Sequence, residues 1–159
     1  MDMNFLAILV AALTTVVVGF LWYGPLFGKV WSSENGFTNE DLITGNRFKL
    51  FWLIFLFSIL LAFIMQILVI HQFGALGMIG GDVTEAKQSY VDFMTDYGTA
   101  FRTYKHGALH GFLSGLLLAF PMIAINGLFE RKSWKYIFIH AGYWIVCMTI
   151  MGAIVSGWQ

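Results

Sequence analysis

The chain has 159 residues, of which 58% are hydrophobic and 11% charged, and its nine basic and nine acidic side chains balance to zero net charge. Soluble domains run at about 45–50% apolar and about 25% charged, so this composition excludes an ordinary soluble domain, and the wealth of aromatics excludes a disordered chain. Zero net charge gives no electrostatic case for nucleic acid, and a lone cysteine, Cys147, excludes an internal disulfide and any cysteine-based zinc cluster.

A hydrocarbon core of about 30 Å takes roughly 20 apolar residues of helix to cross. The first such stretch runs from Met3 to Tyr23 without a charge. Asp2 is its only flanking charge, and it ends in Trp22-Tyr23-Gly24-Pro25. Without a basic start or a small-residue cleavage site, it reads as an uncleaved membrane helix rather than a signal peptide. Ala7, Ala11, Thr15 and Gly19 recur along it every four residues. Such a stripe of small residues lets two backbones approach in lipid, where apolar side chains do not drive association.

The following loop contains Thr38 and, three residues later, Asp41, the pattern of a capping box at the start of a short surface helix that Gly45-Asn46 would stop. A second span covers about 50–70 and ends at His71. Gly74, Gly77, Gly80 and Gly81 then read as a flexible turn region. From about Thr84 to Tyr104, apolar residues recur at intervals of three or four, which predicts an amphipathic helix. Its acidic residues and tyrosines suit capping the bundle better than lying on anionic lipid. A lid over a cavity is the functional alternative.

The third span covers about 108–129 and the fourth about 136–158, which makes the chain a single all-α domain, residues 1–159, of four transmembrane helices. Gly107, Gly111 and Gly115 form a second stripe, and Gly152 with Ser156 a shorter one. Internal packing and a homodimer both use such stripes. Pro121 predicts a kink within the third span. Cys147 lies mid-span and reads as packing.

No Asp, Glu, Lys or Arg lies deep in any span, which counts against a carboxylate-based pump. The candidate chemistry is therefore imidazole. His106 and His110 are four apart and share a helix face, and His71 ends the second span on the same side. Three imidazoles on one side suit a metal or haem, although ordinary interface histidines show the same spacing. Asn126 and His140 flank the short last loop and are read as a polar pair across the third and fourth helices, or as a substrate-binding pair. Serine elbows, phosphate loops and paired carboxylates are missing from the sequence, so no catalytic residue is assigned.

Loop charge sets orientation. Lys29, Arg47, Lys49, Arg131, Lys132 and Lys135 fall in the first and third loops, against Lys87, Arg102 and Lys105 in the middle one. Six against three places the first and third loops in the cytoplasm and both termini outside. Trp22, Tyr23, Trp31, Trp52, Trp134 and Tyr136 gather at the predicted cytoplasmic boundary as interface anchors.

The run from Leu21 through Trp22-Tyr23-Gly24-Pro25-Leu26-Phe27-Gly28-Lys29-Val30-Trp31, with His110-Gly111, Pro121, Asn126 to Glu130 and the final Gly152 to Trp158, resembles a bacterial domain-of-unknown-function family of small four-helix membrane proteins. The resemblance implies an inner-membrane location and four-span topology, and implies no activity. The leading expectation is a non-enzymatic membrane protein acting by association, as a homo-oligomer or as a subunit of a larger complex. The first alternative is a carrier of a small molecule or lipid, with a polar cavity between the third and fourth helices near Pro121 and Asn126. The second is haem or metal binding through His71, His106 and His110.

Overall fold

The helices start where a short polar side chain can take a free backbone N–H. In the computed structural model, which describes residues 3–159 apart from the side chains of Asn39 and Leu42, four such caps set the frame. Asn4 accepts from the Ala7 N–H and opens α1 (Phe5–Leu21), and Asn46 accepts from Lys49 and opens α4 (Arg47–Val69). Thr103 accepts from His106 at the head of α7 (Tyr104–Ser114), and Ser133 from Tyr136 at the head of α9 (Trp134–Gly157). Met1 and Asp2, and with them the flanking charge, lie outside the described residues.

Four helical segments are long and apolar enough to cross a membrane: Phe5–Leu26, Arg47–Val69, Tyr104–Phe129 and Trp134–Gly157. Phe5, Phe20, Phe57, Leu60, Leu117 and Phe129 stand exposed on them, as lipid-facing side chains do. This is an all-helical membrane protein with no strand among the described residues. The second, third and fourth segments each begin a few residues before the expected position. The caps sit in the polar loops, upstream of the apolar runs that mark a span.

The shorter elements correct the sequence reading in three places. The chain does not leave helix at Gly24-Pro25, where the first apolar stretch ends. It kinks at Gly24, whose φ of −105° and ψ of −106° are non-helical, and continues through Trp22–Leu26 into α2 (Gly28–Asn35), which Gly36 ends in the left-handed region at φ 69°. The glycine-rich region expected as a flexible turn contains α5 (Gln72–Met78), with Gly74 and Gly77 inside it. The amphipathic helix is α6 (Gln88–Tyr97) and not the whole of 84–104. Upstream, Asp82 accepts from the Thr84 N–H and hydroxyl, a side-chain turn that competes with helix. Downstream, Phe101 takes a left-handed φ of 61° and breaks the run before Thr103 caps α7. The capping box expected at α3 (Asn39–Ile43) is present, with Thr38 and Asp41 bonded reciprocally.

Pro121 acts upstream of its own position. It lies in the first turn of α8 (Phe120–Phe129), and the residues before it, Gly115–Ala119, form a π turn joining α7 to α8. A π turn re-pairs carbonyls that the missing proline N–H would strand.

α9 is the hub. It packs along α7 and α8, and on its other side against α1 and α4. The α7–α9 contact is backbone on backbone. A Cβ on Gly107 or Gly111 would run into the carbonyl oxygens of Gly152 and Met148, and one on Gly115 would lie 2.6 Å from the Ile145 Cα. Both candidate stripes are therefore occupied within the chain. Ala7, Ala11 and Thr15 are likewise buried in the bundle, where Thr15 bonds to Ser58 of α4 and Tyr143 of α9 donates to the Thr15 carbonyl. Gly19 differs, since a Cβ there meets only the Tyr143 side chain, at 3.5 Å or more. Cys147 is fully buried and packs in the core, as expected.

At the loop end, Glu34 of α2 accepts from the Ser133 hydroxyl and faces Lys135 Nζ at 3.5 Å. The Ser133 hydrogen bond, aided by the Lys135 charge, holds the Glu34 carboxyl below the usual glutamate range. A depressed folded-state pKa gives stability that is present at neutral pH. It fades as pH falls from about 4.3, the unfolded value, through the folded one. Glu34→Gln is expected to remove that part of the acid limb from a thermal-midpoint profile between about pH 6 and 3 while leaving its shape above unchanged. In the same assay at neutral pH, Gly111→Ala should cost about 1–3 kcal/mol through overpacking against backbone that cannot move aside. Gly19→Ala should be neutral or slightly stabilising, because the new methyl finds ordinary contact distance.

Candidate metal centre

At the end of the bundle where both termini lie, α4 stops at Ile70 and His71 occupies the turn into α5. Thr103 fixes the start of α7 across from it, so His106 falls in the first turn and His110 one turn on. The three rings converge. Centroids lie 5.0 Å apart for His71–His106, 4.8 Å for His71–His110 and 4.4 Å for His106–His110. His71 Nε2 is 2.9 Å from His106 Nε2, and one ligating nitrogen from each ring lies within 4.8 Å of the others. Metal–nitrogen bonds of about 2.0–2.1 Å in a tetrahedral site put two ligand nitrogens about 3.3 Å apart. The observed separations bracket that value.

All three donors are imidazole nitrogens, which suit zinc, copper, iron or nickel and not the oxygen-seeking magnesium or calcium. Three donors leave a fourth position open. No carboxylate or carbonyl among the described residues accepts from the Nδ1 atoms of the trio. The rings are oriented instead by one another and by Phe101, whose ring lies 4.9 Å from that of His106 and edge-on to His71 at 6.3 Å. Phe101 reaches this place through its left-handed backbone, a strained conformation for a bulky residue. Gln72, 4% exposed, secures the segment by donating to the carbonyls of Tyr97 and Ala100 at 2.8 and 2.9 Å. Between them lies a cavity of about 220 Å³ lined by His71, Gln72, Phe93, Tyr97, Ala100 and Phe101.

The opposite end gathers different chemistry. Tyr23, just before the kink that follows α1, places its hydroxyl 3.0 Å from His140 Nδ1, and Trp22 Nε1 donates to the Ile139 carbonyl at 3.0 Å. These two residues are not lipid anchors alone. They turn inward and tie the end of α1 to α9. The expected Asn126–His140 bond does not form. Both side chains line one cavity of about 220 Å³, while His140 is held by Tyr23.

The family described as "protein of unknown function (DUF1761)" matches residues 6–156. The chain belongs to this family. No curated protein and no solved structure matches it. The family match takes in the three converging histidines and the Tyr23–His140 pair together, and its description assigns chemistry to neither. What each group does therefore rests on its geometry.

The histidine trio was visible in the sequence as side and spacing. Phe101 and Gln72, which shape its surroundings, were not, because a positive φ and a long-range amide bond leave no local pattern. Tyr23 was visible only as part of an aromatic interface run. Tyr23→Phe removes the partner of His140 Nδ1 and leaves that atom unpaired in a half-buried setting. The expected cost is about 1–3 kcal/mol in thermal or denaturant unfolding, and a second substitution, His140→Phe, added to Tyr23→Phe should cost less than it does alone.

Proposed function

We propose that the protein is a bacterial inner-membrane protein, with both termini outside the cytoplasm, that holds one transition-metal ion through His71, His106 and His110. The convergence of three ring nitrogens within 4.8 Å carries this reading. The orientation rests on the six Lys and Arg of the first and third loops against three in the middle one, and it sets the site on the external face.

Zinc and copper suit the donor set best, since three neutral imidazoles with one open position are a habitual arrangement for both. Haem fits poorly. Its axial ligands approach opposite faces of a macrocycle, whereas these rings pack on one another at no more than 5.0 Å and leave no plane between them. The ion would also do structural work. α4 and α7 meet only narrowly, and a metal bound by His71 and the α7 pair would clamp them together. Association with a second chain has no comparable support, because the small-residue stripes are filled inside the bundle.

Protein stripped with a chelator and titrated with Zn²⁺, and separately with Cu⁺ under reducing conditions, is expected to take up one equivalent of one of them. At a free metal concentration of 100 times Kd, binding should raise stability by about 2.7 kcal/mol. His106→Ala and His110→Ala should each weaken binding at least tenfold, and the triple alanine variant should abolish both the uptake and the thermal shift. Uptake that survives in the triple variant would refute the site.

A further inference from the structure

His140 has an unmet hydrogen bond. Its Nδ1 is taken by Tyr23, and its Nε2 is buried with no partner among the described residues. If the tyrosine donates to Nδ1, Nε2 carries a hydrogen with no acceptor, and in the other tautomer Nε2 is an acceptor with no donor. Leaving such a group unpaired in a low-dielectric setting costs about 1–3 kcal/mol. The cavity of about 220 Å³ beside it is lined by Ile123, Asn126, Gly127, Glu130, Tyr136 and Trp144 as well as His140. It is polar, sits at the loop end of α8 and α9, and has an aromatic wall, with the Tyr136 and His140 rings 4.2 Å apart.

A second cavity adjoins it. About 350 Å³ in volume, it runs deeper into the membrane between α4 and α8 with α9 as its floor. Leu61, Ile64 and Leu68 of α4 face Leu118, Met122 and Ile123 across it, and no polar side chain lines it. It exists because α4 and α8 share no substantial interface among the described residues. Ile123 and Trp144 belong to both walls, so a polar recess opens onto an apolar trough.

We propose that this composite cavity binds a lipid with a flat, uncharged, oxygen-bearing ring as its head and a long apolar tail, the chemistry of an isoprenoid quinone or its quinol. A ring carbonyl accepts from Nε2–H, a ring hydroxyl donates to a bare Nε2, and the Asn126 amide offers both functions. The aromatic walls suit a flat head. The Glu130 carboxylate in the lining repels an anionic head, and the nearby Lys132 ammonium is drawn over the Tyr136 ring at 5.2 Å. The trough takes the tail, whose burial against Leu, Ile and Met supplies most of the contact area. This site shares no residue with the histidine trio, and it stands or falls independently of metal binding.

The test titrates decylubiquinone into the purified full-length protein in mild detergent, read by quenching of tryptophan fluorescence, with Trp144 in the wall. Saturable binding of one molecule per chain is expected. His140→Leu, which removes the unpaired nitrogen, and Ile123→Phe, which blocks the junction of recess and trough, should each raise Kd at least tenfold while helical circular dichroism is retained. Should His140→Leu fail to fold, Asn126→Ala in the recess lining takes its place, with a rise of at least threefold expected. Asp96→Asn, an exposed position on α6 away from both cavities, should leave the affinity unchanged. Quenching that does not saturate, affinities unmoved by Ile123→Phe, or equal displacement by decane or by an anionic phospholipid would overturn the proposal.

Discussion

The close approach of α7 to α9 is the constraint on which the rest of the architecture depends. Gly107, Gly111 and Gly152 let two backbones meet with no side chain between them. Inside lipid this is among the few strong ways to hold helices together, because burying an apolar side chain gains little there. The consequence for chemistry is directional. Neighbouring residues on a helix point about 100° apart. Once Gly107 and Gly111 are turned onto α9, His106 and His110 must face aside, and the helix on that side is α4, which stops just before His71. The histidine trio is thus a by-product of where the glycines lie, and moving either glycine by one position would scatter it.

A second constraint operates at the far end. Gly24-Pro25 cannot continue an α-helix, and the chain kinks at Gly24, next to Trp22 and Tyr23, which turn inward over α9. The same break that ends the span delivers a hydroxyl to His140. Glu34 then closes the loop end by reaching Ser133 and Lys135 from α2. Both ends of the bundle are fastened in this way by polar contacts, while the middle is held by small residues and by the Thr15–Ser58–Tyr143 group.

Much of this was legible in the sequence because it is periodic. Apolar runs of membrane length give the spans, the four-residue recurrence of glycine gives the packing face, and the separation of His106 from His110 puts them on one side. What was hidden depends on non-local closure. The Tyr23–His140 bond joins residues 117 positions apart, and no spacing rule reaches that far. A short loop suggests that Asn126 pairs with His140, but Tyr23 takes Nδ1 and a cavity lies between the amide and the ring, so the two side chains share a wall without bonding. The sequence predicts too long an amphipathic helix because apolar periodicity continues through Phe101 and Tyr104, whereas the backbone reverses hand at Phe101. Periodicity of side chains records which face is apolar; it does not record where φ changes sign.

The π turn before Pro121 shows how one residue can set the shape of a cavity. Sixteen steps of about 100° would place Gly127 roughly 160° around the helix from Gly111, facing away from α9. A π turn absorbs one extra residue and takes back about 100°, which leaves Gly127 within roughly 60° of the glycine face. Gly127 does in fact sit against Ile137 of α9, where an added Cβ would lie 2.8 Å from the Ile137 side chain. The same rotation carries Asn126 to the wall it shares with His140. A straight third helix would keep the metal end intact and turn Asn126 away from that recess. The proline is therefore better understood as a register shift than as a bend: it lets one helix offer imidazoles toward α4 at one end and an amide toward α9 at the other.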